Sequence, residues 1–80
     1  MSINDVTRKR IRELCLERKL TPNALSYLCG ISQSTIKSIL NSESQSPKIE
    51  TIKKICDGLE ITIVQFFDTK DFNSLEQEIK

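Results

Sequence analysis

Residues 22–41 read PNALSYLCGISQSTIKSILN, and this stretch decides the fold. Two short helices crossed through a tight turn need a small residue at the crossing, a turn residue that tolerates positive φ, and a buried residue after it. Ser26, Gly30 and Ile31 supply these in order. The apolar seam between the two helices then consists of Leu25, Cys29, Ile36 and Ile39. Because seven positions agree in one register, the stretch predicts a helix-turn-helix.

Capping and stop signals divide the chain into five predicted helices. Thr21 followed by Pro22 begins the second helix, which stops at Gly30. Ser32 caps the third helix, which runs to about Leu40. Asn4 or Asp5 caps the first helix, which runs to about Lys19. Ser46-Pro47 begins the fourth helix, which Gly58 ends. A capping box of Thr62 and Gln65 begins the fifth.

Apolar spacing predicts which helix faces are buried. Residues 60–67, EITIVQFF, could also form a strand, but a lone strand would have no partner, so a helix is preferred. The prediction is an all-α, compact five-helix bundle over residues 1–68, followed by a short polar tail over 69–80 with helical spacing of its apolar residues. The predicted inward residues are Thr7, Ile11, Leu14, Cys15, Arg18, Leu25, Leu28, Cys29, Ile36, Ile39, Leu40, Ile49, Ile52, Ile55, Cys56 and Leu59, and those of the tail are Phe72, Leu75 and Ile79.

Composition excludes several classes of protein. The chain has no histidine and three cysteines without CxxC spacing, which disfavours a zinc site and excludes a His-dependent triad. It has no clustered carboxylates, activated nucleophile or phosphate-cradling glycine loop, so we expect neither an enzyme, a cofactor nor a small-molecule substrate. With no run of 18 apolar residues and no signal peptide, we expect a reduced, cytoplasmic protein without membrane contact.

The stretches TPNALSYLCGISQSTIKSILN and PKIETIKKICDGLEITIVQFFD resemble the lambda-repressor-like (Cro and Xre type) helix-turn-helix family. The resemblance covers residues 8–68, about three quarters of the chain. It implies a five-helix bundle, binding of double-stranded DNA by the third helix, and a homodimer on a palindromic operator. Pro22 departs from the family, where a glutamine is common, and Cys15 and Leu40 replace a buried Arg–Glu pair of some relatives.

The outward positions of the third helix suit contacts with base edges. Glutamine can pair with adenine, lysine can reach guanine, serine can serve either base, and a threonine methyl can touch thymine. The N-terminal end of such a helix points into the major groove. The alternative is an ordinary solvated polar face. The predicted base-reading residues are Gln33, Ser34, Thr35, Lys37 and Ser38.

Phosphate contacts are predicted on either side of this helix. Thr21 and Asn23 open the second helix, whose free N–H groups attract phosphates. The resemblance implies further backbone contacts at Asn41, Ser44 and Lys48, although Lys48 is equally compatible with a solvated lysine.

The net charge of +1 conceals an asymmetry. Residues 1–41 carry seven basic and three acidic side chains (+4), and residues 42–80 carry five and eight (−3). The basic half is therefore expected to face the phosphates. Four of its charges, Arg8, Lys9, Arg10 and Arg12, could approach DNA or form a solvated helix end.

The resemblance implies a dimer contact after the fourth helix. Phe66 and Phe67 are adjacent, so one ring is expected in the core and the other near the surface, unless both are core. We assign the interface to Ile63, Phe67 and Phe72. The expected function is a sequence-specific transcriptional regulator, a repressor. The alternative is a protein-interaction module of the same fold, an antagonist or antitoxin-like partner without its own operator.

Overall fold

The computed structural model describes residues 2–41 and 46–79. Over these residues the chain is all-α, as predicted, but it forms six helices rather than five. The sixth helix forms because Thr69 caps it, with its Oγ1 accepting from the Phe72 amide at 3.4 Å. The helices are α1 (Ile3–Glu17), α2 (Pro22–Cys29), α3 (Gln33–Asn41), α4 (Ile49–Gly58), α5 (Ile63–Phe67) and α6 (Lys70–Asn73).

Helix α1 begins earlier than the prediction of Asn4 or Asp5 as its cap. Ser2 is the N-cap, and its Oγ accepts from the Asp5 amide at 3.2 Å. Asp5 in turn accepts from the Ser2 amide at 3.1 Å, which completes a capping box. Hydrogen bonds from the Ser2 backbone and side chain, followed by the bond from Arg8, lower the pKa of the Asp5 carboxyl. The helix also ends slightly before Lys19, at Glu17.

Three predicted helix signals are confirmed. Thr21 caps α2 with Pro22 in its first turn, and Gly30 ends it at φ 66°. Ser32 Oγ accepts from the Thr35 amide at 3.2 Å, at the start of α3. Thr62 and Gln65 form the predicted capping box of α5, so residues 63–67 are helical rather than extended.

The predicted start of α4 is wrong. Lys48, not Ser46, is the N-cap, and it makes no side-chain capping bond. Ile49 consequently lies at the exposed start of the helix, with 61% of its surface accessible. The helix ends at Gly58, as predicted, but the left-handed residue is Glu60, at φ 57°. Gly58 instead allows close packing, since a Cβ there would lie 2.6 Å from Cys29 Sγ on α2.

The core lies where α1 to α5 meet. Phe66 of α5 is fully enclosed, and Thr7 of α1 is buried with its hydroxyl donating to the Ile3 carbonyl at 2.7 Å. Three predicted inward residues are exposed: Arg18, which lies just beyond the end of α1, Leu28 and Ile49. The buried core cluster comprises Ile11, Leu14, Cys15, Leu25, Cys29, Ile31, Ile36, Ile39, Leu40, Ile52, Ile55, Cys56, Leu59 and Phe66.

Helix α6 connects the C-terminal residues to α1. Lys9 Nζ lies 2.8 Å from an Asp71 carboxylate oxygen. The Phe72 ring packs edge-on against Phe67, with 4.9 Å between the centroids. The apolar spacing of the tail extends to Ile79, but the helix that forms there ends at Asn73, and Ile79 is 91% exposed. Among the described helices, none has the length and apolarity that a membrane span requires.

Candidate nucleic-acid interface

The turn between α2 and α3 is fixed by Ser26. Its carbonyl accepts from the Ile31 amide at 3.2 Å, and its hydroxyl donates to the Ile31 carbonyl. The hydroxyl therefore bonds forward across the turn, rather than back along its own helix as serine often does. With Gly30 in the left-handed conformation between them, both polar backbone groups of Ile31 are satisfied.

The predicted base-reading residues share the outer surface of α3. Ile36, Ile39 and Leu40 turn inward and are buried. The first turn of α3 carries no acidic residue. The Thr35 hydroxyl accepts from Ser32 Oγ at 2.8 Å, which ties it to the helix cap. Gln33, Ser34, Thr35, Lys37 and Ser38 are all exposed.

Two surface grooves bring predicted base and phosphate residues together. One, of about 340 Å³, lies between α3 and the start of α4 and places Ser34, Thr35 and Ser38 beside Lys48. The other, of about 510 Å³, lies between α1, the start of α2 and the end of α3, and Arg12 of α1 lines it. Its lining includes Thr21, Asn23, Lys37 and Asn41.

The individual phosphate candidates differ in how they are held. Thr21 Oγ1 accepts from the Ala24 amide at 3.1 Å, so its side chain already caps α2. Asn23 and Asn41 are exposed at facing helix ends, and Lys48 is exposed at the N-cap of α4. The remaining candidate, Ser44, lies outside the described residues.

The basic cluster of α1 makes contacts within the protein. Arg10 donates to the carbonyls of Phe66 and Gln65 at 2.8 and 3.0 Å, and its guanidinium lies 5.9 Å from the Phe66 ring centroid. Arg8 and Arg12 donate to carbonyls at the end of α3. In each of these bonds, between 28 and 56 positions of sequence separate the donor from the acceptor. Local sequence spacing therefore cannot predict them.

The residues assigned to a dimer interface lie on α5 and α6. Ile63, Phe67 and Phe72 are partly buried and pack against the core. Phe67 lies edge-on to Phe66, with 4.8 Å between the centroids, so it is supported from beneath by the core ring. Val64, the next position on α5, is 73% exposed.

The three thiols lie in the core, at Cys15, Cys29 and Cys56. Burial raises the pKa of each, and for Cys29 burial together with the neighbouring thiols raises it to about 11. Among the described residues, no group of three or more His, Cys, Asp or Glu side chains is arranged to hold a metal ion.

Comparison with known proteins agrees with this geometry. The chain is 43% identical over 53 residues to the uncharacterized HTH-type transcriptional regulator RghRB of Bacillus subtilis (strain 168). It is 42% identical over 53 residues to the HTH-type transcriptional repressor RghR of the same strain. Each match covers 66% of this chain but only 38% and 39% of the relatives, so the matched residues correspond to well under half of the relatives' length.

A solved structure has a similar fold. The crystal structure of the prophage Lp1 protein 11 superposes with a TM-score of 0.80 and 31% identity, over 92% of this chain and 97% of that one. The family model for the Cro/C1-type HTH DNA-binding domain matches residues 10–71. The chain therefore belongs to the Cro/C1-type helix-turn-helix DNA-binding domain family.

Proposed function

We propose that this protein is a transcriptional repressor that binds a palindromic operator as a homodimer, with α3 in the major groove. The observation that carries the proposal is the outer surface of α3, which is exposed, free of acidic side chains in its first turn and rich in hydrogen-bonding groups. The repressor role is suggested by the name of the 42% identical relative. An operator-binding protein works beside the chromosome, so the proposal places it in the cytoplasm.

In this proposal, Gln33 and Ser34 read the first bases that α3 meets, since the N-terminal end of such a helix enters the groove. Thr35, Lys37 and Ser38 contact bases along the following turn. Gln33 pairs with an adenine, and Lys37 reaches a guanine O6 or N7. These base-edge contacts supply the sequence preference.

The phosphate contacts in the proposal come from both sides of α3. Thr21 and Asn23 approach one strand through the N-terminus of α2, and Asn41 joins them across the shared groove. Lys48 approaches from the groove on the other side, and Ser44 is proposed from the family resemblance alone. Such contacts fix the register of the protein on the duplex.

The deciding experiment selects bound duplexes from a random library at fixed salt. Enrichment of a palindrome whose half-sites lie about 34–36 Å apart supports the proposal, because two copies of α3 then occupy successive major grooves. If no sequence is enriched and binding disappears at moderate salt, the operator proposal is wrong. That result favours the protein-interaction module instead.

Gln33→Ala should reduce affinity for the selected operator by about 1–3 kcal/mol and relax preference at one base pair of each half-site. The reason is the loss of a two-bond pairing with one base. The measurement is binding to a panel of single-base operator variants. Gln77→Ala, an exposed glutamine in the tail, is the matched control and should bind like the parent chain. A uniform loss over all sequences would show that Gln33 does not read a base.

Phe67→Ser should increase the monomer fraction in sedimentation by weakening the proposed interface of Ile63, Phe67 and Phe72. The parent chain and Tyr27→Ser, which alters an 89% exposed ring on α2, are the controls. Circular dichroism at the sedimentation temperature confirms that each variant is folded. A folded Phe67→Ser protein with an unchanged dimer fraction removes this residue from the interface.

A further inference from the structure

The geometry points to Arg8 and Arg12 of α1 as positioning residues that hold the C-terminal turn of α3 and so set the angle of the recognition surface. This inference rests on the proposed DNA-binding role of α3. The supporting observation is nevertheless different. The proposed function rests on the outer surface of α3, whereas this inference rests on the bonds between α1 and the end of α3.

Arg8 joins α1 to the end of α3. Its Nε donates to the Ile39 carbonyl at 3.0 Å, and its Nη1 lies 3.1 Å from Asp5 Oδ1. Asp5 is itself held by the Ser2 capping box. The Arg8 side chain is only 12% exposed, so this guanidinium is committed to the interior side of α1.

Arg12 lies one turn further along α1 and donates to the next carbonyl, that of Leu40. Side chains at i and i+4 lie on one face of a helix, so the two arginines grip adjacent carbonyls from a single face. Cys15, the next buried residue on this side, packs into the same core as Leu40. The contact between α1 and α3 is therefore polar at the helix end and apolar beneath.

The end of α3 needs such partners. The last four carbonyls of a helix have no intrahelical donor, and cations near them are favourable because they complement the helix dipole. The last turn of α3 contains no basic residue of its own. The arginines of α1 supply charge-assisted donors to two of these carbonyls, those of Ile39 and Leu40.

The start of α3 is fixed separately by the Ser32 cap and by the bonds from Ser26 to Ile31. A helix held at both ends has a defined tilt, and base-reading side chains require placement to within about 0.5 Å. Without the arginines, α3 stays folded against the core but its outer face loses this alignment. The arginines thus contribute to specificity without touching DNA.

A direct phosphate contact makes a different prediction for the same residues. Each lost phosphate contact lowers the slope of log K against log salt by about 0.9. A positioning residue leaves that slope unchanged. The two roles are therefore separated by measuring affinity at several salt concentrations on a selected operator and on a scrambled duplex.

The test uses Arg8→Met and Arg12→Met, which keep the apolar stem and remove the donors. Arg18→Met, at an exposed position after α1, is the matched control. Amide hydrogen exchange in the free protein should accelerate about tenfold at residues 38–41 and stay unchanged in α2. Operator affinity should fall about tenfold, while scrambled-duplex affinity stays within about twofold and the salt slope is unchanged.

Three results would overturn the inference: unchanged exchange at residues 38–41, a reduced salt slope, or an equal loss on both duplexes. If the methionine variants do not fold, Arg8→Lys decides. Lysine retains a phosphate contact but cannot bond Asp5 and Ile39 in the same fork geometry. Operator affinity should then fall for positioning and persist for phosphate binding. If the parent chain prefers no operator, the proposed function is wrong. The exchange measurement in the free protein still tests whether the arginines hold the end of α3.

Discussion

Gly58→Val should lower the free energy of unfolding by about 3 kcal/mol or more, at the upper end of the cost of overpacking a core. A Cβ at this position would lie 2.6 Å from Cys29 Sγ, 2.9 Å from the Leu28 carbonyl oxygen and 3.0 Å from Cys29 Cα. Two of these atoms belong to the backbone of α2, so no rotamer change relieves the collision. Urea denaturation followed by circular dichroism measures the loss.

The other glycine of the chain provides the matched control. Gly30 lies at φ 66°, and a Cβ there meets nothing within 4 Å. Gly30→Ala should therefore cost only the left-handed strain of about 1–2 kcal/mol. Combining Gly58→Val with Cys29→Ala should recover part of the stability, because it removes the sulfur but leaves the backbone contacts. A Gly58→Val protein as stable as the parent would contradict this close approach of α4 to α2.

Phe66→Ala should cost about 3–5 kcal/mol, the range for removing a buried aromatic ring. Phe66 is 0% exposed and supports the rings of Phe67 and Phe72, at centroid distances of 4.8 and 6.3 Å. It also lies beneath the Arg10 guanidinium. For a domain of this size, the loss lowers the melting temperature by at least about 12 °C. Differential scanning calorimetry provides the measurement.

Val64→Ala is the control on the same helix, since Val64 is 73% exposed and its truncation should change stability by less than about 0.5 kcal/mol. Phe66→Leu should retain more stability than Phe66→Ala because it leaves a smaller cavity. Equal stability of Phe66→Ala and Val64→Ala would mean that Phe66 does not fill the core between α1 and α5.

The sequence predicted best where the cause is local. Thr21, Ser32 and Thr62 each bond an amide three residues away, so their capping role is legible within one turn. The Ser2 cap of α1, which the prediction omits, also has a local cause, because Ser2 and Asp5 have capping-box spacing. The start of α4 is mispredicted because Ser46-Pro47 has the pattern of a cap followed by proline, yet the helix begins after Lys48.

Features that depend on packing between distant residues could not be predicted. From the sequence, the arginines of α1 are expected to be solvated or to face DNA, because no neighbouring residue indicates their bonds to the carbonyls of Ile39 and Leu40. The sequence correctly predicts that α4 ends at Gly58, but it does not predict the close contact with Cys29, which depends on how two helices cross. The residues of α3 that face outward were identified, because 3.6-residue periodicity alone separates them from Ile36 and Ile39.

The buried thiols make the chain its own conformational probe. With their pKa values raised, Cys15, Cys29 and Cys56 remain protonated near neutral pH and are screened from reagents while the bundle is closed. They sit on α1, α2 and α4, so an alkylating reagent reaches each one only when that part of the protein opens. Mass spectrometry of the labelled peptides then resolves whether the helices open together or one at a time, without any engineered site.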